Sequence, residues 1–207
     1  MALHPEIQKK GQKIMDEALG GHRMPTFADA GSIPYVDAII NEVLRWKPAV
    51  TVCIPHGALK DDHYEGYVIP KGAIVIANIC AILQDEAVYG PRTNEFRPER
   101  FLLKDGALNT SMNTDAAFGY GRRLCPGKGE LYTWVLDGSW YSFSFTAMSR
   151  ELTWMTVASM LASVDIGAAM GENGVKMEAS KVEYITSGSL KCVASLLEGL
   201  QVTDEVS

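Results

Sequence analysis

The sequence is poor in cysteine and contains neither a long apolar run nor a long run of like charges. Its four cysteines, Cys53, Cys80, Cys125 and Cys192, are widely spaced and form no C-x-x-C pair. This spacing argues against the disulfide framework of a small secreted protein and favours a reduced, intracellular setting. The N-terminus lacks the continuous apolar segment of a signal peptide. No apolar span reaches the roughly 18 residues of a membrane-crossing helix, so none is predicted.

The charge balance argues against nucleic acid as the main partner. The chain has 207 residues and a net charge of −6 at pH 7, and it has no basic arm. Hydrophobic residues make up 47% of the sequence, which is enough for a sizeable core. The length suits one domain or a tight pair of domains.

Apolar residues at helical spacing predict three helices, at residues 3–19, 35–46 and 152–166. Turn residues between apolar runs predict three short strands, near residues 52–59, 64–69 and 73–79. The stretch 85–117 is rich in Pro, Asn, Asp and Gly and is predicted to be irregular, which is often a sign of function. A hairpin is predicted in the tail, with a turn at 171–174 and a strand at 181–186.

The segment FGYGRRLCPG, Phe118 to Gly127, surrounds one cysteine with glycines and arginines. Positive charge from Arg122 and Arg123 favours the thiolate form of Cys125, and glycines let the backbone approach the sulfur closely. The cysteine could instead be a small buried apolar residue, or a nucleophile that takes a distant histidine as its base. The pair Cys53-x-x-His56 is half of a zinc-site pattern, and no second half follows.

A single thiolate cannot hold a bare metal ion, but it can be the one protein ligand of a metal held by a macrocycle. That chemistry indicates haem, whose propionates also need cations. Arg123 lies two residues from the sulfur and could bind a propionate at the porphyrin edge.

Three motifs in this order resemble those of the cytochrome P-450 family. Phe118-x-x-Gly121-x-Arg123-x-Cys125-x-Gly127 is similar to its haem-binding signature at every fixed position. EVLR, containing Glu42 and Arg45, is similar to the family's E-x-x-R, and FRPERF at 96–101 is similar to its meander. YEGYVIPKGAIVIANI resembles the hairpin beside the haem. The resemblance covers roughly residues 3–127 and 151–188 and is nearest to fungal members.

The resemblance implies a mainly α fold with a small antiparallel β-sheet, as in the C-terminal, proximal haem-side part of the family's fold. It implies that Cys125 is the iron ligand, that Arg123 and His56 bind propionates, and that Phe118 packs against the sulfur. Gly121 and Gly127 would permit close approach to the porphyrin. A buried charge cluster is implied for Glu42, Arg45 and Arg100. Substrate contact is implied for Ala49, Val50, Thr51, Thr186 and Ser187.

The implied activity is monooxygenation of a small lipophilic organic substrate. The implied cofactor is haem b (iron protoporphyrin IX), with NADPH acting indirectly through a flavoprotein reductase. Fungal members usually sit at the endoplasmic reticulum membrane, through an anchor that this sequence lacks. A haem-thiolate isomerase or dehydratase, which needs no O2 or reductase, is the alternative enzyme class. A non-catalytic truncated remnant is the other alternative.

Two departures from the family shape these expectations. The family's N-terminal half, with its long distal helix, has no counterpart here, so the 207-residue chain is interpreted as a partial domain that is inactive alone. Residues 128–150 are interpreted as an atypical insertion, because family members run from the cysteine loop directly into the next helix.

Overall fold

The computed structural model describes residues 1–125, 131–136, 139–167 and 202–203, with side chains described for 1–125 and 150–167. Two long helices open the chain: α1 spans Pro5–Leu19 and α2 spans Pro34–Trp46. Each begins on a proline, whose fixed φ suits the first turn of a helix. The predictions for these two helices are confirmed to within two residues at each end.

Four short strands follow α2 and form two antiparallel pairs. They are β1 (His56–Gly57), β2 (Asp62–Tyr64), β3 (Tyr67–Ile69) and β4 (Ile74–Val75). β1 pairs with β4, and β2 pairs with β3 between them. The single strand predicted at 64–69 is wrong because Glu65 and Gly66, with φ of 47° and 85°, turn the chain there. Positive φ at both central residues is typical of a two-residue hairpin turn.

Short helices occupy parts of the chain that were predicted to be strand or irregular. Helix α3 (Ile79–Leu83) begins where the third strand was predicted to end, because the Asn78 side chain accepts a hydrogen bond from the Ala81 amide and caps it. Helix α4 (Glu86–Tyr89) is capped in the same way by Asp85. Two 3-10 turns follow, Pro98–Phe101 and Asp115–Phe118, so the stretch 85–117 is only partly irregular.

A hairpin precedes the last helix. Strands β5 (Leu131–Leu136) and β6 (Ser139–Ser144) pair antiparallel, and helix α5 spans Phe145–Ser163. The predicted range 152–166 is wrong at both ends. The helix begins earlier, and β7 (Asp165–Ile166) pairs with β8 (Val202–Thr203). The Gln8 side chain contacts Asp165 and bonds the backbone of Ile166, which holds this end of the chain against α1.

Helix α2 separates two apolar clusters. On one side Val36 and Ile39 pack with Met15 of α1 and with Trp154 and Leu161 of α5. On the other side Ala38 packs in a cluster that includes these buried residues: Cys53, Ile79, Leu83, Tyr89, Phe101 and Ala116. The second cluster lies beneath the elements that carry the candidate site, so α2 supports that site from the core.

The crossing of α1 and α5 depends on a glycine. A Cβ atom on Gly11 would lie 3.1 Å from both Cδ atoms of Leu161, which is tighter than nine in ten real Cβ contacts. We expect Gly11→Val to lower the free energy of unfolding by about 1–3 kcal/mol through overpacking. Urea denaturation of the whole chain measures this change.

The matched control is Ala18→Val, which puts the same side chain at an exposed position of α1. It should cost only helix propensity, under about 0.7 kcal/mol. Equal losses in the free energy of unfolding at the two positions would show that a valine side chain fits between α1 and α5 without overpacking.

Candidate haem-thiolate site

The segment around Cys125 is a tight loop with an exposed thiol. After the 3-10 turn Asp115–Phe118, Gly119 and Gly121 adopt φ of 82° and 59°, where a side chain is strained. The Cys125 amide donates a hydrogen bond to the Phe118 carbonyl at 2.8 Å and closes the loop. The Cys125 side chain is exposed, so its sulfur is free to bind a ligand outside the backbone ring.

A buried cysteine lies beneath this loop. A Cβ atom placed on Gly119 would be 3.9 Å from the Cys53 sulfur. Cys53 is only 8% exposed, and its sulfur lies 3.8 Å from Nε2 of His56. The strand that carries His56 therefore packs directly against the cysteine loop.

An open cleft of about 590 Å³ lies between the loop and strand β1. Its lining residues are Pro55, His56, Gly57, Leu59, Arg122 and Arg123. The structure thus brings together His56 and Arg123, which are far apart in sequence and were both predicted to bind propionates. Sequence reasoning did not assign Leu59 to the site, and it considered Arg122 only as a source of charge. Because Arg122 and Arg123 are adjacent in the sequence, their pairing was a signal that both guanidinium groups could line the same cleft.

The cleft has the chemistry that a haem edge requires. Two guanidinium groups and an imidazole suit carboxylates. Nearby aliphatic side chains are unusually exposed, with Ile54 at 65%, Leu59 at 73% and Ile74 at 71%, and a porphyrin is a large apolar surface that could cover such groups. The exposed thiol on the adjoining loop completes the donor set, so the residues present fit a haem.

Behind the site, Glu42 lies fully buried between two arginines. The guanidinium of Arg45 donates to Glu42 through Nε at 2.7 Å and Nη2 at 2.9 Å, and Nε of Arg100 donates at 3.1 Å. Glu42 also accepts the Arg97 amide at 2.8 Å. The structure therefore brings Glu42, Arg45 and Arg100 into one cluster, with side chains that are 0%, 0% and 2% exposed.

Backbone carbonyls accept further hydrogen bonds from both arginines. Arg45 bonds the carbonyl oxygens of Leu83 at 3.2 Å and Thr93 at 2.8 Å. Arg100 bonds those of Tyr89 at 2.6 Å and Arg92 at 3.1 Å. Burial lowers the pKa of Arg100, and Glu42 opposes this shift. These bonds tie the stretch from α3 to the Pro98–Phe101 turn onto α2.

The remaining predicted site residues have different positions. Ala49, Val50 and Thr51 are exposed in the irregular segment between α2 and β1, and the Thr51 carbonyl accepts a hydrogen bond from the Cys80 amide at 3.0 Å. Phe118 is half-buried at the start of the loop. Three of the predicted site residues, Gly127, Thr186 and Ser187, lie outside the described residues, as does Cys192. So do the predicted tail hairpin and part of the stretch 128–150.

A sequence profile described as cytochrome P450 matches residues 1–129. The chain belongs to the cytochrome P450 family. It is 44% identical over 189 residues to the cytochrome P450 monooxygenase eriA of Hericium erinaceus, covering 91% of this chain and 32% of the relative. It is 38% identical over 190 residues to cytochrome P450 monooxygenase claR of Ampulloclitocybe clavipes, covering 92% and 32%. It is 49% identical over 127 residues to cytochrome P450 monooxygenase 98 of Postia placenta, covering 60% and 24%.

These cytochrome P450 relatives are fungal, in line with the resemblance seen in the motifs. The chain spans about a third of the length of the relatives that it matches over most of its own length. Among the described parts of the chain, no helix has both the length and the apolarity to cross a membrane. Nor do the described residues include a group of three or more His, Cys, Asp or Glu able to hold a metal ion.

The charge cluster generates a prediction about stability. Glu42→Gln removes the carboxylate and leaves two buried guanidinium groups without a counter-charge. We expect the free energy of unfolding to fall by about 3–5 kcal/mol, measured by chemical denaturation of the whole chain.

The control is the same substitution at Glu17, which forms an exposed i,i+4 pair with Lys13 at 3.8 Å. Glu17→Gln should change stability by less than about 0.5 kcal/mol. A Glu42→Gln loss as small as this would contradict a buried charge role for Glu42.

Proposed function

We propose that this chain is the proximal haem-side part of a cytochrome P450 monooxygenase domain and binds haem b through the sulfur of Cys125. The observation that carries the proposal is the exposed thiol on a closed glycine loop, beside a cleft lined by His56, Arg122 and Arg123. When bound, the cofactor supplies O2 activation with two electrons that a flavoprotein reductase delivers from NADPH, giving insertion of one oxygen atom into a small lipophilic organic substrate and release of the other as water.

Each residue of the site has a defined task in this proposal. Cys125 donates its sulfur as the proximal ligand. Arg123 and His56 would bind the carboxylates at the porphyrin edge, and Arg122 adds a second guanidinium group to the same cleft. Phe118 covers the sulfur from one side and limits its contact with water. Gly121 and Gly127 keep the loop free of side chains where the porphyrin approaches.

Substrate contacts are proposed for Ala49, Val50 and Thr51. The segment is irregular and exposed, and Val50 is 43% accessible. Thr186 and Ser187 are proposed contacts on the basis of the resemblance alone. An intracellular setting is proposed too, supported by free thiols at the described cysteines.

Monooxygenation is proposed for the whole protein, and haem binding for the residues of this chain. The three relatives described above are all named cytochrome P450 monooxygenases, which favours this reaction over the isomerase or dehydratase alternative. Measuring the consumption of O2 and NADPH by the whole protein distinguishes a monooxygenase from an isomerase or dehydratase. A monooxygenase consumes O2 and NADPH in step with product, and an isomerase or dehydratase consumes neither.

The ligand assignment is tested by Cys125→Ser. We expect the purified chain, loaded with haem and reduced under CO, to show the spectrum of a thiolate-ligated haem. The Cys125→Ser variant should lose that signature, because a serine hydroxyl is not a soft thiolate donor. The control variants Cys53→Ser and Cys80→Ser should keep it.

Two results would overturn the assignment of Cys125. One is a thiolate signature that persists in Cys125→Ser. The other is an equal loss of the thiolate signature in Cys80→Ser, which would show that Cys125 is the wrong cysteine for the sulfur ligand.

The propionate assignment is tested by Arg123→Gln and His56→Gln. Losing one charge-assisted hydrogen bond should cost roughly 1.5–3 kcal/mol, or about 10- to 100-fold in the Kd for haem. Haem titration followed by absorbance measures the effect. The control is Arg92→Gln, an exposed arginine that pairs with Glu95 and does not line the cleft.

A second ligand sharpens this test. Haem dimethyl ester carries no carboxylates, so Arg123→Gln should weaken its binding far less than it weakens binding of haem. Equal losses for both ligands would mean that Arg123 acts on the fold and not on the propionates.

A further inference from the structure

A second polar network lies between α2, α5 and the start of the cysteine loop. Arg150 of α5 donates to Oδ1 of Asn41 at 3.3 Å and to Oγ1 of Thr114 at 3.4 Å. Thr114 in turn donates to the same Asn41 oxygen at 3.3 Å. Thr114 is 0% and Asn41 5% exposed. Buried polar groups of this kind stabilise a structure only when each has its partner.

The same guanidinium also reaches the loop itself. The Arg150 Cζ atom lies 5.9 Å from the centre of the Phe118 ring, within the range of a cation–π contact. The carbonyl of Phe118 accepts a hydrogen bond from the Cys125 amide. A continuous series of contacts therefore runs from Arg150 through Phe118 to the backbone of the cysteine.

Helix α2 also carries a half-buried carboxyl group that feels the charge of this arginine. Asp37 stands one turn before Asn41 on α2. Burial raises the pKa of the Asp37 carboxyl, and the positive charge of Arg150 acts against that shift. The guanidinium thus contacts an amide, a hydroxyl and an aromatic ring on elements that are distant in sequence.

We propose that Arg150 is a positioning residue that holds the cysteine loop in place from the side of α5. It fixes Thr114 at the entrance of the loop and Phe118 at its first bend, and so sets where the Cys125 amide and sulfur lie. The last residue of the stretch 128–150 then belongs to the working fold. These contacts of Arg150 are present without a bound haem. The inference rests on the proposed function only because that proposal makes this loop the one that carries the iron ligand.

The test compares Arg150→Met and Arg150→Lys in the whole chain without haem. The readout is hydrogen exchange of two loop amides, Cys125 (to the Phe118 carbonyl) and Gly119 (to the Ala116 carbonyl). Methionine keeps length but loses the charge and both donors, so exchange should accelerate at least tenfold. Lysine keeps the cation, and it should restore a large part of the protection. Glu151→Met, at the exposed next position, should leave both amides unchanged.

Exchange in a distant element separates local from global effects. The amides of the β2–β3 hairpin should be unaffected by Arg150→Met. Unchanged loop amides, or equal acceleration in the loop and the hairpin, would overturn the proposal. If Arg150→Met does not fold, Thr114→Val, which removes one partner of Arg150, must accelerate the loop amides instead, and unchanged loop amides there would also overturn it.

Haem titration of the unmutated chain is run in parallel. A chain that binds no haem but shows the expected exchange pattern would contradict the proposed function and leave Arg150 as the residue that holds the loop. If the chain binds haem but Arg150→Met leaves the exchange of the loop amides unchanged, the proposed function is supported and the positioning role of Arg150 is contradicted.

Discussion

The carboxylate of Glu42 is the group on which the surrounding structure depends. It is fully buried, and Arg45, Arg100 and the Arg97 amide all donate to it. Removing a carboxylate from water is unfavourable unless its charge is matched and its lone pairs are occupied. Every element that satisfies Glu42 or its arginines must therefore be in place together, which fixes α2, α3, α4 and the Pro98–Phe101 turn as a unit.

Helix α2 carries two polar networks on neighbouring positions. Glu42 and Arg45 bind the stretch that ends at Arg100, and Asn41 binds Thr114 and Arg150. The first network anchors the segment before the cysteine loop. The second contacts the loop's own beginning. A single helix thus sets the position of the loop from two directions, and the apolar clusters on its two sides keep both networks away from water.

Sequence reasoning succeeded where a local rule decides structure. The apolar stripe, together with Pro34 at its start and Pro48 just beyond its end, predicted α2 well because these signals are all local to the helix. The strand predicted at 64–69 failed because Glu65 adopts a positive φ that its side chain does not favour, and only Gly66 indicated a turn. Helix α5 was misjudged because its end is set by Gln8, which lies at the other end of the chain.

The candidate site could be predicted from the sequence because its motifs are short and occur in a characteristic order along the chain. Arg123 and His56 were each predicted as site residues from their motifs, but their meeting in one cleft depends on the pairing of β1 with β4 and on Cys53 beneath the loop. Arg150 was not identified at all. Its partners Asn41 and Thr114 lie far from it in sequence, so no local pattern links them.

Three of the contacts that join distant parts of the chain differ little in the entropy that is lost when their loops close. Glu42 meets Arg100 across 58 residues, Asn41 meets Arg150 across 109, and Gln8 meets Asp165 across 157. Because closure entropy grows only with the logarithm of loop length, the longest loop costs only about 0.9 kcal/mol more to close than the shortest. During synthesis, however, the order in which the helices appear is strict. Helices α1 and α2 leave the ribosome well before α5, so their shared apolar face stays uncovered until Trp154 and Leu161 have been made.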